Sequence, residues 1–259
     1  MGTKFLNWFS KFYIVLVFLF LYVPIIVIVV YSFNTSKTNT VWNGFTLQWY
    51  TKLLEDENVL TALKNSLVIA FYSTIISCVI GTIGAVGLSK YSFRGKGFID
   101  MLLYVPIVIP EIILGISLLV CFSFVNMPFG MVTLVVSHTT FCIPFVLINV
   151  KTRLAGFDIA LEEAAMDLGA NRLTVFKTIT LPIISPGIVS GGMLAFALSL
   201  DDIIINFFVS GPESTTLPIK IFSMLRFGLS PEINALCTLM LSVTFIVIVV
   251  SQSIKFKKI

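Results

Sequence analysis

Three carboxylic acids, Glu111, Asp201 and Asp202, stand inside otherwise apolar stretches of this 259-residue chain. An acid near mid-bilayer depth costs roughly 2.5–3.5 kcal/mol on insertion scales, so each needs a partner, a proton or a wet cavity. Carboxylates beside freed backbone carbonyls and ring faces suit an organic cation with several ammonium groups. They offer it charge-assisted hydrogen bonds and cation–π attraction. Pro106 and Pro110 free such carbonyls just ahead of Glu111, and Tyr104 and Phe208 supply rings. No Lys or Arg falls inside an apolar stretch, which favours a cation over an anion. The competing reading is that each acid is satisfied by another helix or stays protonated. In an unbroken helix Ser199, Asp202, Asn206 and Ser210 share one face, with Asp201 rotated about 100° away. That spacing puts Asp202 on a passage and Asp201 against a neighbouring helix or a partner subunit. His138, among Ser137, Thr139 and Thr140, is either a proton-sensitive pore residue or a hydrogen bond between packed helices.

The elements that must hold these groups follow from composition. The chain is 57% hydrophobic and 12% charged, with a mean hydropathy of +1.02, whereas soluble domains carry about 25% charged residues. Six continuous apolar runs are long enough to span a bilayer as helices: 12–33, 65–88, 101–125, 131–150, 188–209 and 235–254. Continuous rather than alternating runs exclude a barrel, so the expected architecture is all-α, a six-helix polytopic membrane protein with one permease domain over 1–259. Of the 17 bases, twelve fall on one side of these spans and five on the other. The positive-inside rule then puts both termini in the cytoplasm. Scattered bases make no nucleic-acid footprint. Trp42 and Trp49 in the first external loop suit the membrane interface, as does the amphipathic start around Trp8, Phe9 and Phe12.

Several chemistries are missing. The four cysteines share no ligand spacing, so neither a disulfide framework nor a zinc site is expected. There is no G-x-x-x-x-G-K-[ST] phosphate loop. Gly81, Gly84 and Gly87 read as small residues that let helices approach. A single histidine builds neither a triad nor a metal cluster. The chain is therefore expected to be no enzyme and to bind no cofactor or metal of its own.

One segment between the fourth and fifth spans breaks the apolar pattern. In "EEAAMDLGANRLTVFKTITLP", Glu162 to Pro182, a helix over 157–166 with Asp158 at its start is expected to end at Gly169. Asn171 then caps a second short helix through Thr178, which Pro182 stops. Ile159, Ala160, Met166, Leu173 and Phe176 give the loop an apolar side that wants a partner, while Glu162 and Asp167 are expected to be solvated.

This loop resembles the signature of ABC importer permeases, E-A-A-x-x-x-G-x9-I-x-L-P, at Glu163, Ala164, Ala165, Gly169, Ile179, Leu181 and Pro182. "SHTTFCIPFV", "LSLDDIIINFFVSGP", "LPIKIFSM" and "SPEINAL" are similar to the polyamine-transporting members of that family. The resemblance implies a type I importer permease fold in a bacterial inner membrane. It implies that loop 151–182 carries a coupling helix docked on an ATPase homodimer, which binds ATP and Mg. A homologous second permease, an extracytoplasmic polyamine-binding protein and a spermidine or putrescine substrate are implied as well. A permease for another small solute, such as a metal ion or amino acid, remains open. So does a proton-coupled carrier using Glu111 and Asp202 as a relay.

Overall fold

A computed structural model describes residues 2–36, 41–226, 228 and 230–256. Lys37, Lys257 and Lys258, three of the bases counted for topology, lie outside the described residues. The helices in order are α1 (Gly2–Tyr31), α2 (Gln48–Glu55), α3 (Glu57–Lys90), α4 (Lys96–Val108), α5 (Glu111–Phe124) and α6 (Met131–Leu154). They continue with α7 (Ala160–Asp167), α8 (Arg172–Val175), a π-helical turn (Phe176–Thr180), α9 (Leu181–Asp201), α10 (Ile204–Val209), α11 (Leu217–Leu225) and α12 (Pro231–Phe256). Among the described residues the only extended pairing is a single bridge, Asn34 to Phe45. The chain forms two compact units, Met1–Leu60 with Ile221–Phe245, and Thr61–Lys220 with Ile246–Ile259.

In the first unit, the Trp8–Tyr31 stretch of α1 is strongly apolar and none of it is buried within the chain. Beyond it, Asn34 organises the loop. Its Oδ1 accepts the amides of Ser36 and Asn43, its Nδ2 donates to Val41 O, and its own carbonyl accepts Trp49 Nε1–H at 2.7 Å. Trp49 is thus a buried packing residue of the loop rather than an interfacial anchor, while Trp42 is 45% exposed as expected. Lys52 Nζ reaches Glu232 at 2.8 Å and ties α2 to α12.

The second unit is built on α6 against α9. Val146, Val150, Ile184 and Ala195 are fully buried in its core. Gly187 and Gly191, one turn apart on α9, allow this approach. A Cβ on Gly187 would lie 2.9 Å from Asn149 O, and one on Gly191 2.7 Å from Val146 Cα. Gly81 and Gly84 on α3 do the same towards Val146 and Leu147, whereas Gly87 has open space around it. Alanine at 191 is therefore expected to cost about 1–3 kcal/mol. Alanine at 87 is expected to be neutral or to gain up to about 1 kcal/mol of helix propensity. Thermal unfolding of the purified chain in detergent separates the two, and equal midpoints would refute the packing account.

Among the described residues four helical stretches are long and apolar enough to cross a membrane: Trp8–Tyr31 of α1, α3, α6 and the run Arg172–Asp201. The other expected spans differ from simple rods. The third, 101–125, is not one helix. It starts earlier and breaks at Ile109–Pro110, where α4 and α5 meet at 108°. Ile109 is extended (φ −70°, ψ 134°) because the residue before proline is pushed out of the helical region, and Pro110 has no N–H to continue the ladder. The fifth, 188–209, also breaks, with Asp202 extended at ψ 127°. The polar stripe expected from helical spacing therefore does not form. The sixth, 235–254, falls within α12, whose described apolar stretch is Pro231–Ile246.

Pro182 does not stop the second loop helix either. Arg172 to Asp201 is continuous, because the π turn bonds Leu181 N–H to Phe176 O, five residues back. The wider turn shifts the ladder where the proline ring would otherwise meet a carbonyl.

Candidate functional site

Two breaks bring the acids together. Asp202 turns its carboxylate back onto the helix it begins: Oδ1 accepts Ile205 N–H at 3.3 Å and Oδ2 accepts Asn206 N–H at 3.0 Å. Asn206 Nδ2 donates to Asp202 O at 2.5 Å, which fixes its amide with Oδ1 towards His138. His138 Nε2 must then carry the proton and donate to that oxygen at 2.9 Å. Its Nδ1 accepts Ser199 Oγ–H at 2.6 Å, and Ser199 Oγ in turn lies 3.2 Å from Ser73 Oγ. One imidazole from α6 thus holds both flanks of the break, Ser199 before it and Asn206 after it. Asp202 Oδ2 stands 3.6 Å from Nε2, and the Asp202 side chain is 3% exposed. A buried polar group is costly unless satisfied, and this chain of bonds satisfies its members in one direction.

Asp201 is different. It ends α9, is exposed, and among the described residues neither it nor Glu111 pairs with a base. Glu111 opens α5 directly after the other break and lies within electrostatic range of both aspartates. α5 packs against α10, with Phe208 against Gly115, where a Cβ would stand 2.7 Å from its ring. The helices that follow the two breaks are thus neighbours. Phe208 and Asn206 belong to this assembly, Asn206 as a buried structural link; Tyr104 stands on α4, across the 109–110 break, and is half exposed. The grouping has three carboxyl groups with no Lys or Arg paired to them among the described residues, a ring, and helix ends that are not hydrogen-bonded as regular helix. Those are the elements that discontinuous helices bring to transporter sites. Among the described residues no three His, Cys, Asp or Glu side chains are grouped to hold a metal ion.

The charged loop forms the second site. Regular helix starts at Ala160 rather than at 157, with Ile159 rather than Asp158 in the cap position, although Asp158 Oδ1 accepts Ala160 N–H just ahead of it. Gly169 takes φ +87° and ends it, and Asn171 Oδ1 accepts Thr174 N–H at 2.8 Å to start α8. Glu163 and Ala164 are exposed, Ala165, Ile179 and Leu181 half-buried, and Pro182 exposed. Ile159 and Leu173 are exposed as the apolar side requires. Spacing missed two more members, Leu161 and Leu168, the latter 89% exposed. Met166 and Phe176 instead line a groove of about 330 Å³ with Val86, Lys90 and Arg172.

Glu162 corrects the expectation most. It is buried, not solvated: Lys90 Nζ donates to both its oxygens at 2.5 and 2.6 Å, and Thr180 Oγ–H donates to Oε1. Burial pushes its carboxyl up, but the hydrogen bonds from Lys90 and Thr180 and the Lys90 charge outweigh that and hold it below the usual carboxylate range. With the folded value depressed, the contact's contribution is complete above the ordinary Glu pKa of about 4.3. It is lost as pH falls through the folded value. The signal for it was Lys90, the last residue of the second span, 72 positions away from its partner.

Two broken, acid-bearing spans and a folded loop with an exposed apolar face are features that a transport permease uses. The chain belongs to the binding-protein-dependent transport system inner membrane components, whose family model matches residues 77–256. Its sequence is 43% identical over 225 residues to the spermidine/putrescine transport system permease protein PotC of Escherichia coli strain K12, covering 87% of this chain and 85% of that one. It is 46% identical to the putrescine transport system permease protein PotI of the same strain, covering 84% and 80%. Among solved structures, a bacterial ABC transporter involved in import of the acidic polysaccharide alginate aligns with a TM-score of 0.78 over 98% of this chain and 97% of the other, at 16% identity. The MetNI methionine ABC transporter aligns with a TM-score of 0.64 over 81% and 97%, at 18% identity. The fold is that of the ABC importer permeases, in the inner membrane.

Proposed function

We propose that this permease conducts polyamines, spermidine and putrescine among them, as one half of an ATP-driven importer. The observation that carries this reading is the grouping of Glu111, Asp201 and Asp202 with no Lys or Arg paired to any of them among the described residues, in a chain similar over most of its length to PotC and PotI. Asp201 and Glu111 present carboxylates to the ammonium groups in passing, with Phe208 and Tyr104 as ring faces. Asp202 and Asn206 hold the break that places them. A homologous second permease completes the path, and an extracytoplasmic binding protein delivers the substrate. Both termini and the 151–182 loop face the cytoplasm. There the loop docks on a pair of ATPase subunits, which bind ATP and Mg; this chain binds no cofactor.

Glu163, Ala164, Ala165 and Gly169 form the docking contact, and Ile179, Leu181 and Pro182 join it to the fifth span. A self-contained proton-coupled carrier has no use for that loop. The test is ATP-dependent uptake of labelled spermidine and putrescine into vesicles holding the full complex. Glu163→Lys is expected to abolish uptake and ATPase stimulation while the chain still inserts. Normal coupled uptake in that variant removes the docking claim; no uptake of either amine by the wild type removes the substrate claim.

A further inference from the structure

Lys90 is the last residue of α3, Glu162 lies in the first turn of α7, and Thr180 ends the π turn from which α9 continues. Their one contact joins three elements that are far apart in sequence: the second span, the docking helix and the fifth span. Its geometry is favourable at every point. A base at a helix C-terminus faces an acid at a helix N-terminus, each complementing the macrodipole of its own helix. Both carboxylate oxygens are used, at 2.5 and 2.6 Å from Nζ. Thr180 is fully buried, and the Glu162 side chain is only 11% exposed. Glu162 therefore faces inward while the adjacent Glu163 faces out. The groove beside the contact, lined by Lys90, Glu162, Met166 and Arg172, leaves room around it instead of close-packed side chains. α7 also packs on α8 and the π turn, and the chain between them passes through the left-handed turn at Gly169, where nothing comes within contact of an added Cβ position.

We infer that the Lys90–Glu162–Thr180 contact is a strut: it carries displacement of the docking helix into the second and fifth spans. The two glutamates of the loop then divide the work. Glu163 belongs to the surface the ATPase touches, and Glu162 is a positioning residue that acts through Lys90 and Thr180. This rests on the docking reading above and adds to it the route by which movement leaves the loop. A strut that is cut lets the ATPase cycle with the spans lagging behind. The signature is a changed ratio of transport to hydrolysis, with assembly preserved.

The experiment uses the complete complex with its binding protein in proteoliposomes, counting spermidine molecules imported per ATP hydrolysed. Glu162→Gln and Lys90→Met are each expected to lower this ratio about fivefold or more, the scale of an ordinary coupling free energy, with the ATPase retained at wild-type stoichiometry. Lys90→Arg, which keeps a cation at the end of α3, is expected to hold the ratio near the wild-type value. An unchanged ratio in both Glu162→Gln and Lys90→Met overturns the strut, and so does a ratio that Lys90→Arg lowers as far as Lys90→Met does. Loss of the ATPase from the Glu162→Gln complex also overturns it, by making Glu162 part of the docking surface. Should Glu162→Gln not assemble, Lys90→Met and Thr180→Val read the same contact from its other two ends. Failure of the docking reading shows separately: Glu163→Lys would then keep its ATPase and its coupling.

Discussion

Asp201→Asn is expected to lower polyamine uptake between about tenfold and a hundredfold while leaving the complex assembled. A hydrogen bond to a charged group is worth roughly 1.5–3 kcal/mol, and each 1.4 kcal/mol is a factor of ten. Asp201 has the exposure to form such a bond with a passing ammonium group. Asp202 does not, since its oxygens are committed to Ile205 and Asn206 and its side chain is buried. Asp202→Asn is accordingly expected to act on stability. It turns one acceptor into a donor facing an amide N–H, at a cost of about 1–3 kcal/mol. The two variants are compared by initial uptake rate per assembled complex and by thermal unfolding in detergent. If Asp202→Asn kept the wild-type unfolding midpoint and lost uptake, while Asp201→Asn transported normally, the roles would be reversed.

His138→Leu carries the second large effect, an expected loss of roughly 2–5 kcal/mol. The leucine fills the space but leaves Asn206 Oδ1 buried without a partner, at about 1–3 kcal/mol, and takes from Ser199 its bond to the imidazole, at about 0.5–1.5 kcal/mol, with Ser73 Oγ still beside it. Asn206 and Ser199 both sit beside the Asp202 break, so the loss falls where the fifth span is already discontinuous. His138→Gln keeps a donor within reach of Asn206 and is expected to recover part of the loss. The measurement is the unfolding midpoint of the complex for the two variants. A wild-type midpoint in His138→Leu would mean that the break does not need the imidazole.

What could be read from the sequence depended on how local its cause was. The spans are a matter of composition, and the loop's turn at Gly169 and cap at Asn171 are set by neighbouring residues, so both were legible. The break at Pro110 was half legible, since proline announces an interruption but not a 108° bend. The break at Asp202 was hidden, because helical spacing assumes the helix whose interruption was in question. Only His138, from another span, shows what holds the ends. Glu162 resembled every other charge in a polar loop until Lys90 came into contact with it. Gly187 and Gly191, four apart, share a helix face much as Gly81 and Gly84, three apart, do, and that pattern was there to be found.

The paired breaks also have a consequence for how the protein is made. Pro110 brings no N–H to the break, and a carbonyl left there without a donor has no water to bond with in hydrocarbon, so the third span is a poor candidate to enter lipid alone. The helix beyond its break finds its neighbour in α10, which follows the second break. Synthesis at ~5–20 residues per second separates the two breaks, about ninety residues apart, by ~5–20 seconds. For that interval the nascent third span must be sheltered by the insertion machinery. The Trp8–Tyr31 stretch of α1, apolar and unburied, needs no such wait and can leave for the bilayer first.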